Sequence, residues 1–352
     1  MKKVLCIVLA ALMLCAALPC FAEADKPYAG TTITVFNWYD YIDPSVIDMF
    51  EDETGITVKY ANFTTVEEMY TKIEAGAGEY DLIFPSDYMI ERLIKEEALE
   101  MLNYDNIPNA AGVIEWMKTP DYDPESTYSV PYMWGTVGLL YNTDMITEPV
   151  TSWTTMFSEE YQNNVFMMNS VRDTLGVTLK MLGYSMNTRD IDQLEEAKEA
   201  LIKQKEDGIV AGYLVDETKD KMVAGEAAMA LMWSGDAIYA IEKADNLAYV
   251  VPEEGSNVWL DAMCIPKGSK NKEAAECFIN FLCREDIATL NQEYICYYSP
   301  IQAVVDAMDP ELAADETYNP SQETIDRCEF FSDISEDAEM YEDIWMEIRM
   351  AR

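Results

Sequence analysis

A chain of 352 residues with 24 basic and 65 acidic side chains, no histidine and a net charge of −41 repels nucleic acid and anionic membrane surfaces, so neither is expected as a partner. The same charge draws in a small polycation, although general solubility accounts for most of the acids. Five cysteines, Cys264, Cys277, Cys283, Cys296 and Cys328, follow the first 24 residues; their odd number, without Cys-x-x-Cys spacing, argues against a zinc site or a regular disulfide framework and leaves one or two bridges open.

The N-terminus reads as a secretory signal peptide over residues 1–24: Met1-Lys2-Lys3, an apolar run from Val4 to Leu18, then the small-residue pattern Ala22-Glu23-Ala24. Leu14 and Pro19 stand before Cys15 and Cys20 where a lipidation site calls for a small residue, so soluble export is expected. The remainder is long enough for two lobes of ordinary domain size.

Thr32 to Phe36, rich in β-branched residues, predicts a strand, and Asp43-Pro44-Ser45 a helix start. Between them stands the corner Trp38, Tyr39, Asp40 and Tyr41. In an open α/β sheet ligands bind at loops leaving the carboxyl ends of strands, and ring faces beside a carboxylate suit an organic cation. A helix to Thr54 stops at Gly55, Ile56 to Tyr60 is a second strand, and Thr65 to Ala75 a second amphipathic helix. The buried strand Tyr80–Phe84 breaks at Pro85, Ser86, Asp87 and Tyr88. This βαβαβ rhythm calls for a parallel sheet and puts Ser86, Asp87 and Tyr88 at the same edge as Trp38.

Residues 105–127 read as surface loop. Tyr128 to Asn142 is a strand-like run whose Gly135 and Gly138 suit a bending crossing between lobes. Trp153–Tyr161 is expected to be helical, Val165–Ser170 a strand and Arg172–Leu182 a helix, which presents Ser170 and Asp173 at a sheet edge. Helix Arg189–Gln204 is a charged solvated face. The apolar strand Ala227–Trp233 breaks at Ser234-Gly235-Asp236 before helix Ala237–Lys243. Val258 to Pro266 alternates apolar residues around Asp261, an acid that a strand tolerates only with a partner. Helix Lys272–Cys283, the loop Tyr297-Tyr298-Ser299-Pro300 and helix Tyr341–Met350 complete the chain.

Taken together, Asn37-Trp38-Tyr39-Asp40-Tyr41, Tyr80-Asp81-Leu82-Ile83-Phe84-Pro85-Ser86, Tyr128-Ser129-Val130-Pro131-Tyr132-Met133-Trp134-Gly135, Lys180-Met181-Leu182-Gly183-Tyr184-Ser185, Trp259-Leu260-Asp261 and Asn271-Lys272-Glu273-Ala274-Ala275 resemble the polyamine-binding receptors of bacterial ABC importers. The likeness is co-linear over nearly the whole mature chain. It implies an α/β two-lobe periplasmic-binding-protein fold of type II, with lobe 1 over 25–136 and 260–305 and lobe 2 over 137–259 and 306–352. It further implies a box of Trp38, Tyr41, Ser86, Tyr88, Trp233, Trp259 and Tyr297 around the ligand's aliphatic chain, with Asp173 and Asp261 as amine-binding acids. Asp40 and Asp236 resemble the acids of the putrescine type, Trp259 the spermidine type. The pattern departs at Ser170, where spermidine receptors carry an acid, at Phe331, where they carry glutamine, and at Tyr39, which is bulkier than usual.

The expected function is an extracytoplasmic, monomeric receptor, not an enzyme and without a cofactor, that closes over putrescine or spermidine and hands it to a membrane permease. Lobes crossing near Trp134–Leu140 and Val258–Ile265 would make closure depend on acids from both sides. Two alternatives are weighed against it. The adjacent Tyr297-Tyr298 suggest a same-fold receptor for ferric iron, which leaves the tryptophan-rich corners without a task. The many acids admit a secreted glycoside hydrolase with paired carboxylates, for which no nucleophile or metal motif is present.

Overall fold

The computed structural model describes residues 26–76 and 78–351; the expected signal peptide lies outside the described residues. Strand β1 (Thr32–Trp38) leads into helix α1 (Pro44–Thr54), which Asp43 caps with its side chain and Gly55 ends at φ 72°. Strand β2 (Thr57–Phe63), helix α2 (Val66–Ala75), strand β3 (Leu82–Ile83) and helix α3 (Asp87–Lys95) follow. β1 pairs in parallel with both β2 and β3. Only two residues of the expected Tyr80–Phe84 strand form it; Asp81, just before them, still bonds β1, its amide donating to the Thr34 carbonyl and its side chain accepting from the Thr34 amide and the Ser269 hydroxyl.

The 14-residue strand β4 (Ser129–Asn142) is followed by β5 (Val165–Met168), α4 (Val171–Met181), α5 (Ile191–Glu206), β6 (Val210–Leu214), α6 (Thr218–Val223), β7 (Met229–Trp233), α7 (Ser234–Ile241), β8 (Leu247–Val250) and β9 (Val258–Cys264). Then come α8 (Lys272–Leu282), α9 (Glu285–Ile295), three short helices and α13 (Ala338–Met350), the short ones being α10 (Gln302–Asp306), α11 (Pro310–Ala313) and α12 (Gln322–Asp326). Instead of the helix expected at 153–161 there are two 3-10 turns, since Ser152 and Ser158 each accept from a backbone amide two residues on and restart the chain. Residues 105–127 are not a purely surface loop: Ile107, Ala110, Val113 and Met117 drop into the core. No helix among the described residues is long and apolar enough to cross a membrane, and the five cysteines are free thiols.

β4 decides the architecture. Its first half, Ser129–Thr136, pairs antiparallel with β9, which continues to β3, β1 and β2; its second half pairs antiparallel with β7 and β8, and β7 continues to β5 and β6. Two apolar clusters gather on each half: Val35, Leu82, Leu260 and Phe278 with a second around Phe36, Phe63 and Ile90 on the first, and Leu139, Leu175, Leu231 and Ile348 with a second around Leu140, Met232 and Tyr249 on the other. The chain therefore has two lobes that share a strand. The crossing is laced three times: the Val137 amide donates to the Asn257 carbonyl at 3.0 Å, the Ser256 hydroxyl to the Val137 carbonyl at 2.6 Å, and the Glu329 amide to the Ser256 carbonyl at 2.8 Å. The C-terminal crossing at Glu329 was not expected from the sequence. Val304, Tyr318 and Ile325 pack on the first core.

Candidate functional site

The ends of β1, β3, β5 and β7 and the middle of β9 meet where the lobes face one another. Asp261 sits at the centre of β9, nearly out of contact with solvent at 6% exposure. Its Oδ2 accepts from the Tyr41 hydroxyl at 2.8 Å, and Ser86 bridges to it backbone to backbone. Burial pushes the Asp261 carboxyl up to about 6, against the lowering effect of the Ser86 and Tyr41 hydroxyls. Tyr41 is itself held, its carbonyl accepting from the Tyr132 hydroxyl at 2.7 Å while its ring meets Tyr132 edge-on at 5.5 Å.

Three aromatic rings form a chain beside this carboxylate: Tyr41 packs on Tyr297 at 6.1 Å, and Tyr297 on Trp259 at 4.9 Å, both edge-on. Two glycines hold the space for it. A Cβ at Gly135 would collide with the Trp259 ring, and one at Gly235 with the Tyr297 ring. Gly135 thus makes room for ring packing just before β4 passes from β9 to β7, the crossing expected there. The Trp259 Nε1 donor is buried without a partner.

Two further carboxylates come from opposite lobes. Asp87 opens α3, is 1% exposed, and accepts from the Tyr88 amide at 2.7 Å through Oδ1, while its Oδ2 has no partner. Asp173, in the first turn of α4, accepts from the Ser170 hydroxyl and is 6% exposed. Burial raises both, Asp87 well above the ordinary carboxylate range, with the neighbouring Asp261 adding to the rise and Arg172 opposing it. Trp233 ends β7 on the same side and acts as a donor that lowers Asp173. Tyr88 packs against the cores of both lobes.

The remaining expected residues lie differently. Trp38 anchors the β1 end to β3, its Nε1 donating to the Phe84 carbonyl at 2.9 Å and its ring lying on Phe63. Tyr39 is 71% exposed, and Asp40 turns out through a left-handed φ of 51° toward Tyr60 and Tyr294, so neither joins the cluster. Asp236 is already neutralised by Lys219 at 2.8 Å. Tyr297 and Tyr298 diverge, as neighbours on an extended backbone do: the Tyr298 hydroxyl donates to the Thr317 carbonyl at 2.6 Å inside the first lobe. The pair therefore does not converge on one ion.

Two residues of the cluster escaped the sequence reading. Tyr132 looked like one more aromatic in a strand. Arg172 looked like a helix start, yet it lies between Tyr88, Asp87 and Asp173, its guanidinium 4.3 Å from the Phe331 ring and 5.9 Å from that of Tyr88. A cation beside Asp173 in a chain with so few cations was the available signal.

Two α/β lobes sharing a crossing strand, with buried acids and aromatic rings at their junction, define a solute-binding protein of the type II periplasmic class. The chain belongs to the bacterial extracellular solute-binding protein family, whose model matches residues 45–320. It is 33% identical over 323 residues to a spermidine/putrescine-binding periplasmic protein of Salmonella typhimurium, 91% of this chain and 92% of that one. It is 28% identical over 345 residues to a putrescine/agmatine-binding protein of Pseudomonas aeruginosa, 92% of each chain. A crystal structure of a spermidine/putrescine ABC transporter substrate-binding protein from Streptococcus pneumoniae matches with a TM-score of 0.83 and 35% identity over 91% of this chain and 99% of that one. The family is one of solute receptors outside the cytoplasm, not of enzymes, and the glycoside hydrolase alternative is set aside.

Proposed function

We propose that this protein is the receptor of a polyamine importer, binding putrescine or spermidine between its lobes and delivering it to an ABC permease in the membrane. The observation that carries the reading is the group Asp87, Asp173 and Asp261: three buried carboxylates drawn from both lobes, the last of them held by Tyr41 at the end of the Tyr41, Tyr297 and Trp259 ring chain. Buried charge of one sign costs several kcal/mol unless it meets its opposite. An alkyl polyamine supplies ammonium groups for the acids and methylenes for the ring faces, each ring contact contributing about 0.5 to 2 kcal/mol. Because Asp87 and Asp261 stand on one lobe and Asp173 on the other, the ligand's ammonium groups are matched only when the lobes meet.

The working boundaries we adopt are residues 26–136 and 260–328 for the first lobe and 137–259 and 329–351 for the second, with the ligand contacts spread over Trp38, Tyr41, Ser86, Asp87, Tyr88, Asp173, Trp233, Trp259, Asp261 and Tyr297. Calorimetric titration with putrescine, cadaverine, spermidine and agmatine tests the function. Saturable one-to-one heat with at least one of them is expected; the absence of heat with all four refutes it.

A further inference from the structure

Away from the buried carboxylates and the ring chain, the two lobes meet at a second place. Helix α3 carries Glu91 and Lys95 at four-residue spacing behind Asp87, so the three share one helix face. The helix is fixed to the first lobe by Met89, Ile90 and Leu93, which are buried in one cluster with Phe36 and Phe63. Opposite it stands Asp333, between Phe331 and Ile334, both buried in the core of the second lobe. Arg189 ties the backbone there, donating to the Asp333 carbonyl at 3.0 Å.

Two contacts cross from lobe to lobe. The Asp333 amide donates to Glu91 Oε2 at 2.7 Å, and Lys95 Nζ reaches Asp333 Oδ2 at 3.2 Å. Each partner is aimed by its own lobe: Lys95 is steadied by Glu91 Oε1 at 2.9 Å, and Asp333 Oδ1 accepts from the Ser335 amide at 3.0 Å, which leaves Oδ2 for the far side. Arg189, the other cation beside this segment, pairs with Asp337 at 3.3 Å. Asp333 is only 9% exposed, so its bonds across the gap replace water that closure removes.

Contacts that bridge the lobes exist only when the lobes meet, and they favour the closed form with any ligand between them. A ligand that requires the closed form binds in proportion to how far that form is populated. We propose that Glu91, Lys95 and Asp333 are an interlobe latch, positioning residues outside the ligand contacts that set how long the closed receptor holds its ligand. The latch rests on the reading that the ligand binds between the lobes, not on which polyamine it is. Its loss therefore weakens every ligand by the same factor and acts through dissociation, whereas a residue touching the ligand changes the ratio between ligands.

The experiment is calorimetry and stopped-flow dissociation of the mature chain with putrescine and spermidine, on the wild type, Lys95→Met, Asp333→Asn and the double variant. Lys95→Met keeps the side-chain stem on an exposed helix position, and Asp333→Asn keeps the Oδ1 acceptor for the Ser335 amide. Each single variant is expected to lose about threefold to tenfold in affinity, the effect of a charged contact with one half-exposed partner. The factor is expected to be equal for the two amines and to appear as faster dissociation. The double variant is expected to lose little more than either single one, because both break the same contact. Wild-type affinity in both variants overturns the latch, and so does a loss confined to one amine. Should neither amine bind the wild type, the polyamine reading falls, and the latch is judged on the ligand-free protein by small-angle scattering: a larger radius of gyration in the variants supports it, and equal radii overturn it.

Discussion

The Tyr41 hydroxyl donates to Asp261 Oδ2 at 2.8 Å across 220 residues of sequence. This bond joins the corner after β1 to the middle of β9. It keeps a buried acid pointed at the ring chain, and it contributes less than the acid needs: the Asp261 carboxyl still stands at about 6.

Removing the charge at Asp261 separates binding from folding. Asp261→Asn keeps an acceptor for Tyr41 and deletes a buried carboxylate, so thermal stability is expected to hold or rise. Polyamine affinity is expected to fall by about a hundredfold or more, since an ammonium loses its desolvated counter-charge. Calorimetry and a thermal melt on one sample check both; unchanged affinity removes Asp261 from the site.

Asp236 supplies the contrast. Because Lys219 already neutralises it, Asp236→Ala is expected to cost less than about fivefold in affinity, the modest effect of a partly exposed pair. A loss as large as that of Asp261→Asn would show that Lys219 gives way to the ligand.

Binding should depend on pH in a set direction. Burial raises the folded Asp261 carboxyl to about 6 from an ordinary value near 4, so the free site holds a proton below pH 6 that an ammonium ligand displaces. Asp87 and Asp173 are raised too and add to the effect. Affinity is expected to be greatest above pH 7 and to drop by up to about tenfold per unit below pH 6. Proton release, measured near pH 6 in two buffers of different ionisation enthalpy, is the check; proton uptake or none would contradict the assignment. In the free protein the same three groups act oppositely on stability. With its carboxyl raised, Asp261 binds more protons in the native state than in the unfolded chain between about pH 4 and 6, so its contribution declines as pH rises through that window, and Asp87 and Asp173, also raised, act in the same direction.

Gly135 tests the ring chain from the outside. Gly135→Ala pushes a methyl group into the Trp259 ring on the paired strand β9, and a cost of about 1 to 3 kcal/mol in stability is expected from the overpacking. Because Trp259 carries Tyr297 with it, affinity should fall as well. Denaturant melts and titrations with putrescine measure the two effects.

Local patterns carried the sequence reading where chemistry and neighbourhood coincide. Asp43-Pro44 and Gly55 mark α1 because a cap and a left-handed stop are properties of single residues. The βαβ rhythm placed Trp38 and Ser86 at one sheet edge because a parallel crossover leaves no other choice. The alternation around Asp261 announced a buried acid. Those signals, with the co-linear motifs, were enough to read the two-lobe fold and the family.

Only the folded chain distinguishes Asp261 from Asp40. Both sit beside aromatics in the sequence, but one is sealed under Tyr41 and the other turns outward at φ 51°. The same holds for Asp236, whose partner Lys219 comes from α6, for Gly135, whose neighbour is a ring on β9, and for Arg172, which meets the Tyr88 ring from the other lobe. Which side chain ends up dry, and opposite what charge, depends on segments far apart in sequence that first meet when the two halves of β4 draw the lobes together.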